Sequence, residues 1–331
     1  MGLGYHVVEA LIREHNYRPI TGNVILIGRQ AVYLTPQDIL ALLREHGVDV
    51  GAVTAAQIEI DRHTTNRFLD YANQDLISDS ALFRLLGVPK VLALDHSDYE
   101  NAELIHDLTT PIPPALRGCA DFIVDGSTLD NVFDPAMVIS NFAEMLRPGG
   151  RLLTTNVYSN DFEPYVIIPP LWFLDYFVVN GFVDCKIYIV IFPKVGPQDA
   201  FTINLDTLLH PTARVGAFTA PGVMATIVMA EKGADSTSTI RPSQQHYRST
   251  QDWQQYRANL KAIMKSQRPH LVRTRGDITF FDVVGGHLFM ANDFTARDPM
   301  TEILKLQRAA TKALPITAGE SPGARAHSAN I

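Results

Sequence analysis

Two hydrophobic periods alternate along the first two thirds of this chain, and the switches between them mark out helices and strands. Val7, Val8, Leu11 and Ile12 recur at helical spacing within residues 3–15 and predict a short amphipathic helix. A continuous apolar run in NVILIGRQAVYLT (23–35) predicts a strand followed by a loop. Thr35 then caps a helix with Pro36 in its first position and Gly47 at its end. Residues 48–77 keep neither period and mix Thr, Asn, Gln and charged side chains, so they read as an insertion or lid. Order resumes at Ser78, where SDSALFRLLG carries a helix start, an apolar face through Leu82, Phe83, Leu85 and Leu86, and a stop at Gly87.

The segments VLALDHS (91–97) and CADFIVDG (119–126) are apolar runs that each end in an acidic residue, Asp95 and Asp125. Buried parallel strands look this way when their carboxyl ends open onto a ligand crevice. AELIHDL (102–108) predicts a short strand between them. In DPAMVISNFAEMLRPGGRLLTTNV (134–157), Asp134 caps a helix with Val138, Phe142, Met145 and Leu146 on one face. Pro148-Gly149-Gly150 stops that helix, and a strand over 151–156 follows at once. LWFLDYFVVNGF (171–182) predicts a helix ending at Gly181. Two β-rich runs, 184–193 and 222–233, follow with no helical pattern between them, which predicts an antiparallel pair at one edge of the sheet. Beyond residue 234 come a polar linker, a helix over 253–266 and a Ser/Gly/Pro/Ala tail from about 315 that is expected to be disordered.

Composition narrows the partners. A chain of 331 residues, 46% of them hydrophobic, buries a full core. Its net charge of −7 and scattered basic residues argue against nucleic acid or an anionic membrane and favour a small-molecule or protein partner. Cys119 and Cys185 each open an apolar run and read as small buried hydrophobes, and with no CxxC or HExxH spacing no metal is expected. The first residues lack a basic segment leading into a long apolar one, and no apolar run reaches membrane-spanning length, so a soluble, cytoplasmic protein is expected. Association into a homo-oligomer stays open.

In this order of elements the chain resembles the class I S-adenosylmethionine-dependent methyltransferases, in particular a bacterial methyltransferase-like branch. The resemblance spans roughly residues 22–232 and rests on VLALDHSDYENAELIHDL (91–108), CADFIVDGSTLDNVF (119–133) and MLRPGGRLL (145–153). It implies an α/β, Rossmann-like doubly wound, mostly parallel seven-stranded sheet with an antiparallel edge strand, plus helical N- and C-terminal extensions. The implied division is an N-terminal helical flap (1–21), a Rossmann domain (22–233) with the insertion or lid at 48–77, a C-terminal extension (234–314) and a disordered tail (315–331). The implied cofactor is S-adenosylmethionine. Gly28, Arg29 and Gln30 would meet its methionine part, and Asp95 would accept the ribose hydroxyls. His96 and Ser97 would line the adenosine pocket, Asp107 and Leu108 would meet the adenine, and Gly126 and Ser127 would face donor and acceptor. Candidate bases are Asp125, Asp130 and His106, acting on a small-molecule or glycan-type acceptor.

Three departures from that pattern keep a second reading open. The first loop, Ile27-Gly28-Arg29-Gln30-Ala31, has one glycine where the family has closely spaced ones, although Arg29 suits a carboxylate. From Gly28 to Asp95 the chain runs 67 positions, against about 20 in a dinucleotide fingerprint; the insertion accounts for the excess. Asn131 stands where related proteins often carry His, and SNDFEPYVIIPP (159–170) holds neither His nor Gly. The alternative is a noncatalytic methyltransferase-fold binding or scaffold protein. A nicotinamide or sugar-nucleotide enzyme is a third reading, disfavoured by the absent GxGxxG and the late β runs.

Overall fold

The structure is a computed structural model that describes residues 2–64, 71, 73–158, 164–192, 201–204, 223–244, 247–269, 271, 281–284 and 287–290. The expected tail at 315–331, part of the 48–77 segment and residues 159–163 lie outside the described residues.

The strands are β1 (Gly2–Leu3), β2 (Val24–Ile27), β3 (Ala31–Val32), β4 (Val91–Asp95), β5 (Leu104–Ile105), β6 (Ala120–Gly126), β7 (Leu146–Val157), β8 (Asp184–Phe192), β9 (Phe201–Asn204), β10 (Val223–Glu231), β11 (Phe281–Val284) and β12 (His287–Met290). The helices are α1 (Tyr5–Tyr17), α2 (Pro36–Glu45), α3 (Asp79–Leu85), α4 (Pro135–Met145), α5 (Pro170–Val179) and α6 (Thr250–Met264). Capping residues fix their starts as their side-chain chemistry dictates. Thr35 and Asp38 form a capping box on α2, Ser78 accepts from the Ala81 N–H on α3, and Asp134 accepts from the Met137 N–H on α4. Helix α6 begins three residues before the sequence predicts, because Ser249 and Asp252 make a capping box there.

The main sheet has the order β5-β4-β2-β6-β7-β10-β8-β9. Strands β5, β4, β2, β6 and β7 run parallel, β10 lies antiparallel between β7 and β8, and β9 pairs antiparallel with β8 at the edge. This is a Rossmann-like, doubly wound, mostly parallel sheet. The expected antiparallel pair, β8 and β10, lies at one side, and β9 is one strand more than the seven anticipated. Pro148-Gly149-Gly150 falls within β7, where the pairing jumps from Ala120↔Leu146 to Phe122↔Arg151. Glycine is needed there: Gly149 has φ +80, and a Cβ on Gly150 would lie 2.8 Å from the Arg147 carbonyl oxygen.

Each face of the sheet buries its own apolar layer. Ile25, Ile27, Ile123, Leu152 and Ile187 pack with α4 and α5 through Phe142, Phe173 and Phe177. Val24, Leu26, Phe122, Val124 and Leu153 pack with α1, α2 and α3 through Leu11, Ile39 and Leu82. Helix α1 is thus sealed into the core, with Val8, Leu11 and Ile12 fully buried. Within 48–77, Ile58 and Ile77 join the same layer and Leu76 packs beside Tyr33. Among the described residues no helix is long and apolar enough to cross a membrane. Cys185 is buried and Cys119 half-buried, and they form no disulfide with each other.

Candidate functional site

A doubly wound sheet opens a crevice at the carboxyl ends of its strands, where the winding reverses. Here the reversal falls between β2 and β6. The register sets Ile27 beside both Leu94 and Asp125, and Asp95 beside Ile105. Gly28, Asp95, His106, Asp125 and Gly126 therefore come to one rim although the sequence scatters them over about a hundred positions. Gly28 adopts φ +71, and its N–H donates to the Leu94 carbonyl at 2.7 Å, which turns the chain sharply off β2.

On the β4–β5 side, Asp95 is half-buried, and Oδ1 accepts from the N–H of His96 at 2.6 Å. Among the described residues its carboxylate forms no ion pair and has no other polar contact. His96 and Ser97 are exposed beside it. The His106 N–H donates to the Asp95 carbonyl at 2.8 Å, and the buried His106 Nε2 has no hydrogen-bond partner among the described residues. Asp107 closes a turn by accepting from the Thr109 hydroxyl (2.7 Å) and N–H (2.9 Å). Those bonds, helped by His96 and His106, hold its carboxyl below the usual range. Leu108 is a core residue; its carbonyl accepts from Asn141, and its own N–H has no partner among the described residues.

On the β6–β7 side the carboxylates sit deeper. Asp125 is fully buried and accepts from the Thr154 hydroxyl at 2.6 Å and the Thr128 N–H at 2.8 Å. Burial outweighs these bonds and pushes its pKa up to about 6, with the nearby Asp130 charge adding to the rise. Burial also raises Asp130, although the Ser127 hydroxyl, the Val157 N–H and Asn131 all donate to it. Ser127 holds φ +79, a left-handed conformation rare outside glycine, and its hydroxyl lies 2.7 and 2.8 Å from the two Asp130 oxygens. Behind them Asn156 donates to the Thr154 hydroxyl, while its own Oδ1 is buried and unpartnered among the described residues.

Between the two sides lies the first loop. Arg29 contacts Glu103 at 2.5 Å, the Asn101 carbonyl at 3.0 Å and Asp79 at 3.7 Å. It is an internal cation already matched by two carboxylates. Gln30 is fully buried; Nε2 donates to the Ile27 and Gly28 carbonyls, and its backbone N–H donates to Asp79. Its Oε1 occupies the space over Gly126, where a Cβ would collide with it. The backbone of Gly2, in β1, lies against the same spot at 3.4 Å from that Cβ position. From the 48–77 segment, His63 reaches Asn101 at 3.1 Å, beside the Arg29 contact.

The register thus brings Gly28, Asp95, His106, Asp125 and Gly126 to one end of the sheet, whereas Leu108 packs in the core, Gln30 is fully buried and Arg29 is held by two carboxylates. Glu103 and Asp79, which hold Arg29, escaped sequence reasoning: Glu103 lies in a strand-like run and Asp79 in a helix start, and neither context signals a buried charge partner. Thr154 and Asn156 escaped because they sit inside a strand. The signal available was three consecutive polar residues, Thr154-Thr155-Asn156, closing an apolar strand.

No family model matches this chain, and no curated protein matches it. Several solved structures overlap it in part. One is phosphoethanolamine N-methyltransferase 2 of Haemonchus contortus in complex with phosphomonomethylethanolamine and S-adenosylhomocysteine, at 11% identity and TM-score 0.35 over 68% of this chain. The overlap spans 52% of the Haemonchus chain, about half its length. An S-adenosylmethionine-dependent methyltransferase of Thermotoga maritima overlaps at 13% identity and TM-score 0.32, over 69% of this chain and 88% of the other. The [4+2]-cyclase SpnF overlaps at 12% identity and TM-score 0.23, over 46% of each chain. Overlaps this partial decide neither activity nor substrate.

Proposed function

We propose that this protein is an S-adenosylmethionine-dependent methyltransferase acting on a small-molecule or glycan-type acceptor. The observation that carries the reading is Asp95: a half-buried carboxylate at the end of β4, one strand from the switch point, bonded among the described residues only to a backbone N–H. A carboxylate so placed accepts both hydroxyls of a ribose. The unpartnered Leu108 N–H, next to Asp107, supplies a donor for an adenine nitrogen. His96 and Ser97 flank the sugar, and Gly28 to Gln30, with Gly126 and Ser127, lie toward the methionine part. The residues on the β4–β5 side suit the adenosine half; at the methionine half Gln30 and the Gly2 backbone fill the space over Gly126, and Glu103 and Asp79 already hold Arg29, so that half fits only if these side chains move.

When bound, S-adenosylmethionine supplies an electrophilic methyl group on a sulfonium centre. The chain's own task is then to align an acceptor and take its proton. His106, whose buried Nε2 has no hydrogen-bond partner among the described residues, is the proposed proton acceptor. Asp125 and Asp130 hold the loop after β6 in its left-handed turn at Ser127 and keep a negative potential there. For the acceptor, Phe133 and Tyr165 are 90% and 72% exposed, edge to face at 6.1 Å, beside the Asp130 loop. Exposed ring faces of this kind receive the C–H face of a sugar or an aromatic ring.

A second reading, a noncatalytic binding protein on the same fold, has its own support: Gln30 and Gly2 fill the space over Gly126, and Glu103 and Asp79 already neutralise Arg29. Calorimetric titration with S-adenosylmethionine and S-adenosylhomocysteine separates the two. Micromolar binding supports the enzyme. A folded sample that binds neither supports the scaffold.

A further inference from the structure

We infer that β1 is an autoinhibitory strap: Gly2 and Leu3 roof the space over Gly126, and they must lift from β3 before the amino-acid end of a cofactor can enter. The inference rests on the reading of this crevice as an S-adenosylmethionine site and goes further, in naming the element that holds the methionine half shut.

The closed state is built from backbone and one anchor. Strand β1 lies parallel to β3, with Gly2 opposite Ala31 and Leu3 opposite Val32, and the Tyr33 N–H donates to the Leu3 carbonyl at 3.0 Å. Residue 2 has to be glycine for this fit, because a Cβ there would run into the Ala31 carbonyl oxygen and the Tyr33 ring. The backbone therefore lies flush, and the Gly2 carbonyl carbon comes within 3.4 Å of where a Cβ on Gly126 would stand. Gln30 occupies the same space and is fully buried. Together they fill the strand-end position between β2 and β6, where the crevice of a doubly wound sheet opens.

What can move is limited to β1. It is two residues long and pairs in a two-stranded sheet apart from the main one, an arrangement that is marginal on its own. Gly2 has no side chain, so the fully buried Leu3 is the anchor. Gly4 joins β1 to α1, and beyond its chain neighbours no atom lies within 4 Å of a Cβ placed there, which leaves the chain room to turn. Helix α1 itself stays, with Val8, Leu11 and Ile12 sealed in the core. A segment held by one apolar anchor and a few backbone bonds opens locally while the core remains folded. Lifting β1 uncovers Gln30 and gives back the space over Gly126. Meanwhile Asp95 is half-buried and His96 and Ser97 are exposed with β1 in place, so the adenosine half is open in the closed state. The strap thus divides the site into an accessible half and a gated one. A ligand that needs the gate open has its apparent affinity reduced by the fraction of molecules already open.

The test pairs calorimetry with hydrogen exchange on the full chain, using S-adenosylhomocysteine and 5′-methylthioadenosine, which lacks the amino-acid end. Gly2→Val should unseat the strap through its clash with Ala31, and Leu3→Ala should loosen it by removing the anchor. Both variants should speed exchange of the Tyr33 amide, bind S-adenosylhomocysteine about tenfold or more tightly than the wild type, and bind 5′-methylthioadenosine within about twofold of it. In the wild type, saturating S-adenosylhomocysteine should likewise speed exchange at Tyr33, and 5′-methylthioadenosine should not. Faster Tyr33 exchange in a variant with no gain in S-adenosylhomocysteine affinity would overturn the inference, since an open strap would then uncover nothing. Unchanged exchange in both variants would overturn it too. So would slower Tyr33 exchange in the wild type with S-adenosylhomocysteine, which would make β1 part of the bound site and no barrier to it. Failure of the cofactor reading looks different: neither ligand would bind wild type or variant, even where Tyr33 exchange shows the strap open, and the inference would fall with it.

Discussion

The two ends of the central sheet treat charge in opposite ways. At the amino end, Arg151 in β7, Asp184 opening β8 and Glu231 closing β10 stand side by side. Arg268, from the segment after α6, reaches Asp184, Glu14 of α1 and Glu231, while Arg151 also bonds Glu14 and the carbonyls of Arg18 and Pro19. Arg18 completes the set on Glu231, so three cations face three carboxylates. Burial disfavours the Arg268 charge, but Glu14 and Asp184 outweigh it and raise its pKa. At the carboxyl end, Asp95, Asp125 and Asp130 have no ion-pair partner among the described residues, burial raises the latter two, and Gln30 and Asn156 each keep an unmet acceptor. A charge-matched network, in which Asp184 Oδ1 alone lacks a hydrogen-bond partner among the described residues, ties terminal segments to the sheet; at the other end the carboxylates stand without cations.

That contrast can be broken from either end. The largest effect is expected at the ion-paired end. Arg268→Ala leaves Glu14 and Asp184 buried without their shared cation and should cost about 3–5 kcal/mol in chemical denaturation. Ligand affinity of whatever still folds should be unchanged; a loss below 1 kcal/mol would show the network to be dispensable. At the open end, Asp95→Ala should weaken S-adenosylhomocysteine about 100-fold by calorimetry, two hydrogen bonds to a charged group being removed, with little change in melting temperature.

Asp125 carries a pH signature. Its folded pKa of about 6 lies above the ordinary 3.8, so its contribution to stability is fully present below about pH 4 and is lost as pH rises through 6. Asp125→Asn should remove that decline, about 2–3 kcal/mol in all, from denaturation curves taken between pH 4 and 7. Glu9 bounds the acid side in the opposite sense. Burial raises it, but His46, His6 and Arg13 together bring it down to about 2, so its contribution fades as pH falls below 4.5. The smallest effect is expected for Gly126→Ala, whose Cβ must displace the Gln30 amide at about 1–2 kcal/mol. Combined with Gln30→Ala the cost should vanish, and a purely additive double variant would place the strain elsewhere.

Much of the architecture was legible because its determinants are local. Thr35 and Asp134 cap the helices they were expected to cap, α3 starts after Ser78 as expected, and the apolar runs ending in Asp95 and Asp125 became parallel strands of one sheet, one on each side of β2. The candidate site was legible as residue types at strand ends, since carboxyl-end placement follows from the βα order itself. The state of those residues was not. Arg29, expected to be free for a ligand carboxylate, is held by Glu103 and Asp79, from 74 and 50 positions away. No local pattern encodes a pairing across that distance.

The sequence by itself determined the element types, the mostly parallel sheet with its antiparallel pair, and the acidic strand ends, because side-chain period, caps and turn residues act within a few positions. Only the tertiary structure decided which charges meet, which carboxylates lose water and where an acceptor is left without a donor. Those outcomes depend on register and burial between distant segments, and it is there that Gln30, three residues past the end of β2, comes to rest over Gly126 with its oxygen unmet.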